Sequence, residues 1–210
     1  HYRFDNQGIP AQKALLVERG VLKTFLMSRA PTRGIDRSNG HGRRQPGYAA
    51  VSRQANLIVD PVRTTTPEAL REALLREVRR QKKSYGLRFA RIHGGFTLTG
   101  RVLPQGFKIN PIMVYRVYPD GREQLVRGVD MEGTPLSTLS EIIAADNDFR
   151  VFNGYCGAES GSVPVSAVSP ALLLRQIEVS RKSKSSDRPP LLLPPPLSDQ
   201  PQIAGGRGGG

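Results

Sequence analysis

The chain carries a single thiol. Cys156 stands in Asn153-Gly154-Tyr155-Cys156-Gly157-Ala158, where small neighbours leave room for a metal ion or a substrate to approach a thiolate. A lone cysteine is also a common small buried hydrophobe, and no Cys-His-Asn protease pattern accompanies it. His41 lies in Ser38-Asn39-Gly40-His41-Gly42-Arg43-Arg44, and His93 in Arg91-Ile92-His93-Gly94-Gly95-Phe96. Neither has the spacing of a zinc signature, and no His-Glu-x-x-x-His is present. Gly94 and Gly95 are read as a turn, a bulge, or a place where another extended backbone lies close, as in peptide binding by strand addition. On these residues alone the choice among such roles stays open.

The elements that must hold them read as an α+β domain that is sheet-rich and mostly antiparallel, with two helices. Residues 13–28 suggest a hairpin turning at Arg19-Gly20, with Leu15, Val17, Val21, Thr24 and Leu26 along its strands. Residues 29–54 are rich in Gly, Arg, Ser and Asn and read as a long loop, a kind of segment that is often functional. Residues 55–60 form a short apolar strand. Thr66 then caps a helix with Pro67 at its first position, Glu68 in its first turn and Leu70, Leu74 and Val78 on one face. Arg79, Arg80, Lys82 and Lys83 follow at its end, and Gly86 stops it. Strand-like runs fill residues 87–127, with Asp120-Gly121 as a hairpin turn. Thr134-Pro135 predicts a second helix over about 135–145, carrying Leu139, Ile142 and Ile143. The glycine-rich stretch around Cys156 follows, then two strands in VPVSAV and LLLRQIEV.

Composition limits the classes. Hydrophobic residues are 38% of the 210, enough for a core, and no apolar run is long enough for a membrane helix. No basic-then-apolar leader is present, and the lone cysteine excludes an internal disulfide. The chain begins at His1 inside what reads as a folded unit, so it is taken as the carboxy-terminal part of something longer. The domain is expected over residues 1–180, followed over 181–210 by a disordered tail of Pro, Gly, Ser and Lys. Lys and Arg number 31 against 18 Asp and Glu, a net charge of +13. The basic residues are scattered, aromatics are only 6%, and no nucleic-acid-binding motif appears, so a solvated basic surface is favoured over DNA or RNA binding.

Four segments in order (YRFDNQGIPAQKALLVERGVLK, SNGHGRR, RIHGGFTLTG and NGYCGAESGSVPVS) resemble the carboxy-terminal domain of the TldD/TldE (PmbA) family, once described as modulators of DNA gyrase. The likeness covers about residues 2–180. It implies a cytoplasmic zinc metallopeptidase of small or unfolded peptides, working as a homodimer or as a heterodimer with a paralogous subunit, with no membrane. In the active subunits zinc is held by two histidines of a His-Glu-x-x-x-His helix and by one cysteine near the carboxy end. That cysteine falls on Cys156 here. The helix would lie before His1, leaving no catalytic residue in this stretch. Gly94 and Gly95 are assigned to the substrate groove, although His93-Gly94-Gly95 stands where the family often has three glycines. The resemblance leaves two other readings: a non-catalytic subunit or peptide-binding scaffold and, more remotely, a nucleic-acid-binding domain.

Overall fold

The computed structural model describes residues 1–98 and 105–182. Of the tail expected over 181–210, residues 183–210 lie outside the described residues, while Arg181 closes a strand rather than opening a tail. In chain order the elements are β1 (Val17–Glu18), β2 (Val21–Leu22), β3 (Gly42–Arg43), β4 (Val51–Ser52), β5 (Asn56–Ile58), α1 (Pro67–Arg80), β6 (Gly86–Leu98) and β7 (Gly106–Val117). They continue with β8 (Glu123–Val126), β9 (Val129–Gly133), α2 (Pro135–Ser140), β10 (Ile142–Ala145), β11 (Arg150–Ala158), β12 (Gly161–Ser169), β13 (Leu172–Leu174) and β14 (Glu178–Arg181). The domain is α+β and sheet-rich, and its pairings are antiparallel except that of β5 with β12.

The largest sheet runs β14-β9-β7-β6. The far side of β7 is shared, with β9 opposite Phe107–Ile109 and β8 opposite Val114–Val117. Pro111 falls between those two stretches, so its missing N–H costs no ladder bond on that side. Thr66 Oγ1 accepts from the Ala69 amide and caps α1. The helix packs where Gly86 leaves out a side chain: a Cβ there would come within 2.8 Å of Val78 Cγ2. Val117, opposite Gly86 in the register and fully buried, lies on the same side. Across the interface Glu123 accepts from Arg88 on β6 and pairs with Arg71 on α1. The Arg88 hydrogen bond, followed by its charge, holds the Glu123 carboxyl below the usual range.

Several expectations are corrected. On α1 Val78 is buried as expected and Leu74 shares its face toward Gly86, but Leu70 and Leu74 are only half-buried and Leu75, outside the expected stripe, is the second buried side chain. The second helix stops at Ser140, because Ile142–Ala145 leaves it to pair with β13. Leu136 and Leu139 remain exposed, so that short helix has no buried face to extend it. The hairpin near residues 13–28 is reduced to two residue pairs around Arg19-Gly20, both in the left-handed region that a tight hairpin turn demands. LLLRQIEV is not one strand but two, β13 and β14, in different sheets.

Burial ranks the α1 contacts directly. Leu75→Ala should destabilise the domain by about 2–5 kcal/mol, whereas Leu136→Ala, at a position 82% exposed, should change it by less than about 0.5 kcal/mol. Urea unfolding of the two variants checks this. Equal losses would remove α1 from the core.

Candidate functional site

Cys156 is not in a loop. It lies in β11, opposite Val163 of β12, in a hairpin paired from Arg150–Ser169 to Ala158–Gly161. Backbone pairing with β12 supplies what the glycine-rich sequence lacks in strand propensity. The tight end requires glycine twice over. Gly161 takes a φ of +79°, and a Cβ there would come within 2.6 Å of the Gln45 Cβ. The Cys156 thiol is free and half-buried.

The hairpin is fastened by an arginine. Arg53, only 5% exposed, donates through Nη2 to the Cys156 carbonyl and through Nη1 to Ser160 Oγ (2.7 Å) and the Gly161 carbonyl (3.0 Å). Ser160 is completely buried. Gln45 adds two bonds to the same turn: its amide donates to the Ser160 carbonyl (2.9 Å), and its Oε1 accepts from the Ser162 amide (2.9 Å). Arg53 has no carboxylate partner among the described residues, so oxygen dipoles compensate its charge.

Arg53 is itself placed by the stretch expected to be a loop. Its amide donates to the His41 carbonyl, next to the β3–β4 pair. Asp5, also buried, accepts from the Gln7 and Ile9 amides through Oδ1 and from the Gly42 amide through Oδ2, each at 2.9 Å. Backbone and side-chain bonds thus run from the first residues of the chain to Cys156. Asn39 Oδ1 accepts from the Met27 amide, and its Nδ2 donates to the Phe25 carbonyl. His41 Nδ1 faces only Asn39 oxygens, at 2.9 and 3.0 Å, so it must carry the proton and leave Nε2 with the lone pair. Burial, more than any neighbour, pushes the His41 pKa down.

Arg43 stands nearby, with its guanidinium carbon 5.0 Å from the centre of the Tyr2 ring. Tyr2 donates its hydroxyl to the Gly40 carbonyl (2.8 Å), and burial raises its pKa against the opposing charge of Arg43. Tyr2 and Arg43 line a cleft of about 490 Å³ together with Asn56, Gly154, Tyr155 and Ser166.

Gly94 and Gly95 lie in another sheet, inside the continuous strand β6. The register with β7 slips around His93, so that histidine sits in a bulge rather than a turn. A second extended backbone does lie close at Gly95, and it is this chain's own β7. A Cβ there would run into the Lys108 carbonyl and reach 3.0 Å from the Ile109 Cα, whereas a Cβ at Gly94 would meet open space. The other edge of β6 is unpaired among the described residues. Neither His41 nor His93 is hydrogen-bonded to Cys156 among the described residues. Among the described residues no three His, Cys, Asp or Glu side chains come together as a metal-binding group.

Residues 1–181 match the family model described as the PmbA/TldA metallopeptidase C-terminal domain. The chain belongs to the PmbA/TldD family. It is 30% identical over 177 residues to a metalloprotease of Archaeoglobus fulgidus, covering 83% of this chain and 38% of that one. It is 28% identical over 165 residues to a metalloprotease of Methanocaldococcus jannaschii, covering 78% and 34%. A Thermotoga maritima structure described as a modulator of a DNA gyrase shares the fold, with a TM-score of 0.55 at 22% identity, over 85% of this chain and 35% of that one. The chain therefore spans little more than a third of the length of these relatives. The family description implies a metal. Cys156, a free and half-buried thiol, fits one soft ligand for it, and the described residues offer no complete set.

Arg53 was invisible in a sequence with many arginines, because its partners lie more than a hundred residues away. Removing it would strand three buried or part-buried acceptors. Arg53→Ala should cost about 3–5 kcal/mol, and Arg53→Lys should recover only part, since an ammonium cannot span the same three oxygens. Chemical unfolding of both variants checks it; wild-type stability in Arg53→Ala would remove the clamp. The His41 shift makes a second prediction. The unfolded chain, with an ordinary histidine near 6.5, binds more protons than the fold as pH falls below that value. The His41 contribution is therefore complete above about pH 6.5 and is lost as pH drops through its depressed folded value. The thermal midpoint should fall below about pH 6.5, and less steeply in His41→Gln.

Proposed function

We propose that this domain is the carboxy-terminal part of a zinc-dependent peptidase acting on small or unfolded peptides, and that Cys156 is the metal ligand it contributes. The observation that carries the reading is a free thiol on a strand whose carbonyl is gripped by a buried arginine. That grip fixes the strand's position while leaving the sulfur itself uncommitted, as a ligand must be. The other ligands and the glutamate would come from a His-Glu-x-x-x-His helix in the longer protein. When bound, zinc supplies a Lewis acid and lowers the pKa of its water. This chain's part is to present the thiolate and to bind peptide.

For the peptide, the free edge of β6 supports the groove assigned to Gly94 and Gly95. An extended segment could add there through backbone bonds, with Gly94 leaving the space above it open. Gly95 serves the same strand differently, by admitting β7. Assembly with a second copy or a paralogous subunit belongs to this reading too. Exposed Val151, Phe152 and Tyr155 on the edge strand β11 supply apolar surface for it.

The decisive variant is Cys156→Ser in the longer protein. Metal content should drop and peptide cleavage should be lost, while the fold survives because Arg53 grips the backbone carbonyl rather than the sulfur. Full metal occupancy with normal turnover would return Cys156 to a packing role and favour the scaffold reading. In the same protein, Gly94→Val should raise KM for peptides with metal content unchanged. Gly95→Val should lower stability instead, because it wedges β6 from β7. Unchanged kinetics in Gly94→Val would move the groove elsewhere.

A further inference from the structure

Arg43 has the marks of a binding residue. It is only 8% exposed and makes no ion pair among the described residues. Nη1 donates to the Gln54 carbonyl at 2.7 Å, and the Tyr2 ring covers one face. The rest of its donor fork has no partner among the described residues, yet those nitrogens are not sealed away, and the side chain lines the 490 Å³ cleft. The free donors therefore face the cleft, open to an acceptor that enters it. Burial depresses the Arg43 pKa most; Tyr2 and Cys156 act against that, and Arg53 adds to it.

We propose that the Arg43 cleft binds the carboxylate of an extended peptide. A planar guanidinium fork matches a carboxylate with two parallel N–H···O bonds, which a lone amide oxygen cannot reproduce. The remaining walls suit a peptide backbone. Asn153, Ser166 and Asn56 lie abreast on three neighbouring strands; Ser166 donates its hydroxyl to Asn153 Oδ1 (2.7 Å), and the two asparagines bring amide groups to the wall. Gly154, two residues before Cys156, contributes a wall with no side chain of its own. A peptide anchored there would lie along the hairpin that carries Cys156. Arg43 thus determines specificity, favouring substrates with a carboxylate at a set distance from the scissile bond. The inference rests on the peptide-handling reading above but does not need the metal.

The test uses the longer protein with its metal removed by a chelator. Three probes are titrated by NMR: N-acetyl-tetra-alanine as the free acid, the same peptide as its amide, and the amide with a glutamate in its second position. The free acid should bind about tenfold or more tightly than the plain amide, with the gap narrowing in high salt. If the glutamate amide binds like the acid, the cleft takes any peptide carboxylate; if it binds like the plain amide, it takes the chain terminus. Either result supports the site. Arg43→Gln should abolish the preference and Arg43→Lys keep part of it, and should Arg43→Gln not fold, the wild-type acid-to-amide ratio decides alone. Equal binding of acid and amide, or no binding of either, overturns the proposal. So does a preference that survives Arg43→Gln, which would assign it to another cation of the wall such as His1. Cys156→Ser should retain the preference, so failure of the metal-ligand reading and failure of this site are read separately.

Discussion

A buried guanidinium with no carboxylate partner among the described residues sets the terms for this domain. Arg53 satisfies its donors from neutral oxygens, and the closed end of the β11–β12 hairpin supplies three of them. The tight turn at Gly161, the complete burial of Ser160 and the twofold grip of Gln45 all serve that end. The other half of the constraint is the position of Arg53 itself. It depends on the His41 carbonyl, the β3–β4 pair and, through Gly42, the Asp5 carboxylate. Residues from the first quarter of the chain therefore meet the β11–β12 hairpin at Cys156.

This explains which features the sequence carried openly. Local rules governed α1, whose Thr66 cap and Pro67 start are written in consecutive residues. They also governed the Arg19-Gly20 turn. They failed where a distant strand decided the outcome. Ile142 and Ile143 fit a helical stripe equally well, until β13 pairs with this segment through Ile142, Ala144 and Ala145. Cys156 looked like part of a glycine loop because its partner Val163 lies beyond a tight turn, and pairing rather than propensity makes the strand. Gly94 and Gly95 were read as a place of close backbone approach. The approach is real at Gly95, but the neighbour is β7, and only Gly94 is left facing open space.

The charge of the chain also reads differently once folded. Two arginines in the stretch expected to be a loop turn inward, Arg53 to hold a hairpin and Arg43 to line a cleft. Arg71 and Arg88 converge on Glu123 and tie α1 to the main sheet. The positive balance is thus partly structural, which weakens a reading of it as a nucleic-acid surface. The free Cys156 thiol and the cleft lined by its strand neighbours Gly154 and Tyr155 lie in a family domain that spans little more than a third of the length of its relatives.

Native-state amide hydrogen exchange of Arg53→Gln against the unchanged chain tests the clamp most directly. If Arg53 holds the hairpin, protection of the amides from Cys156 to Ser162 should fall by about tenfold or more, while the amides paired between β6 and β7 keep theirs. Unchanged protection across Cys156–Ser162, or an equal fall throughout the domain, would contradict the account.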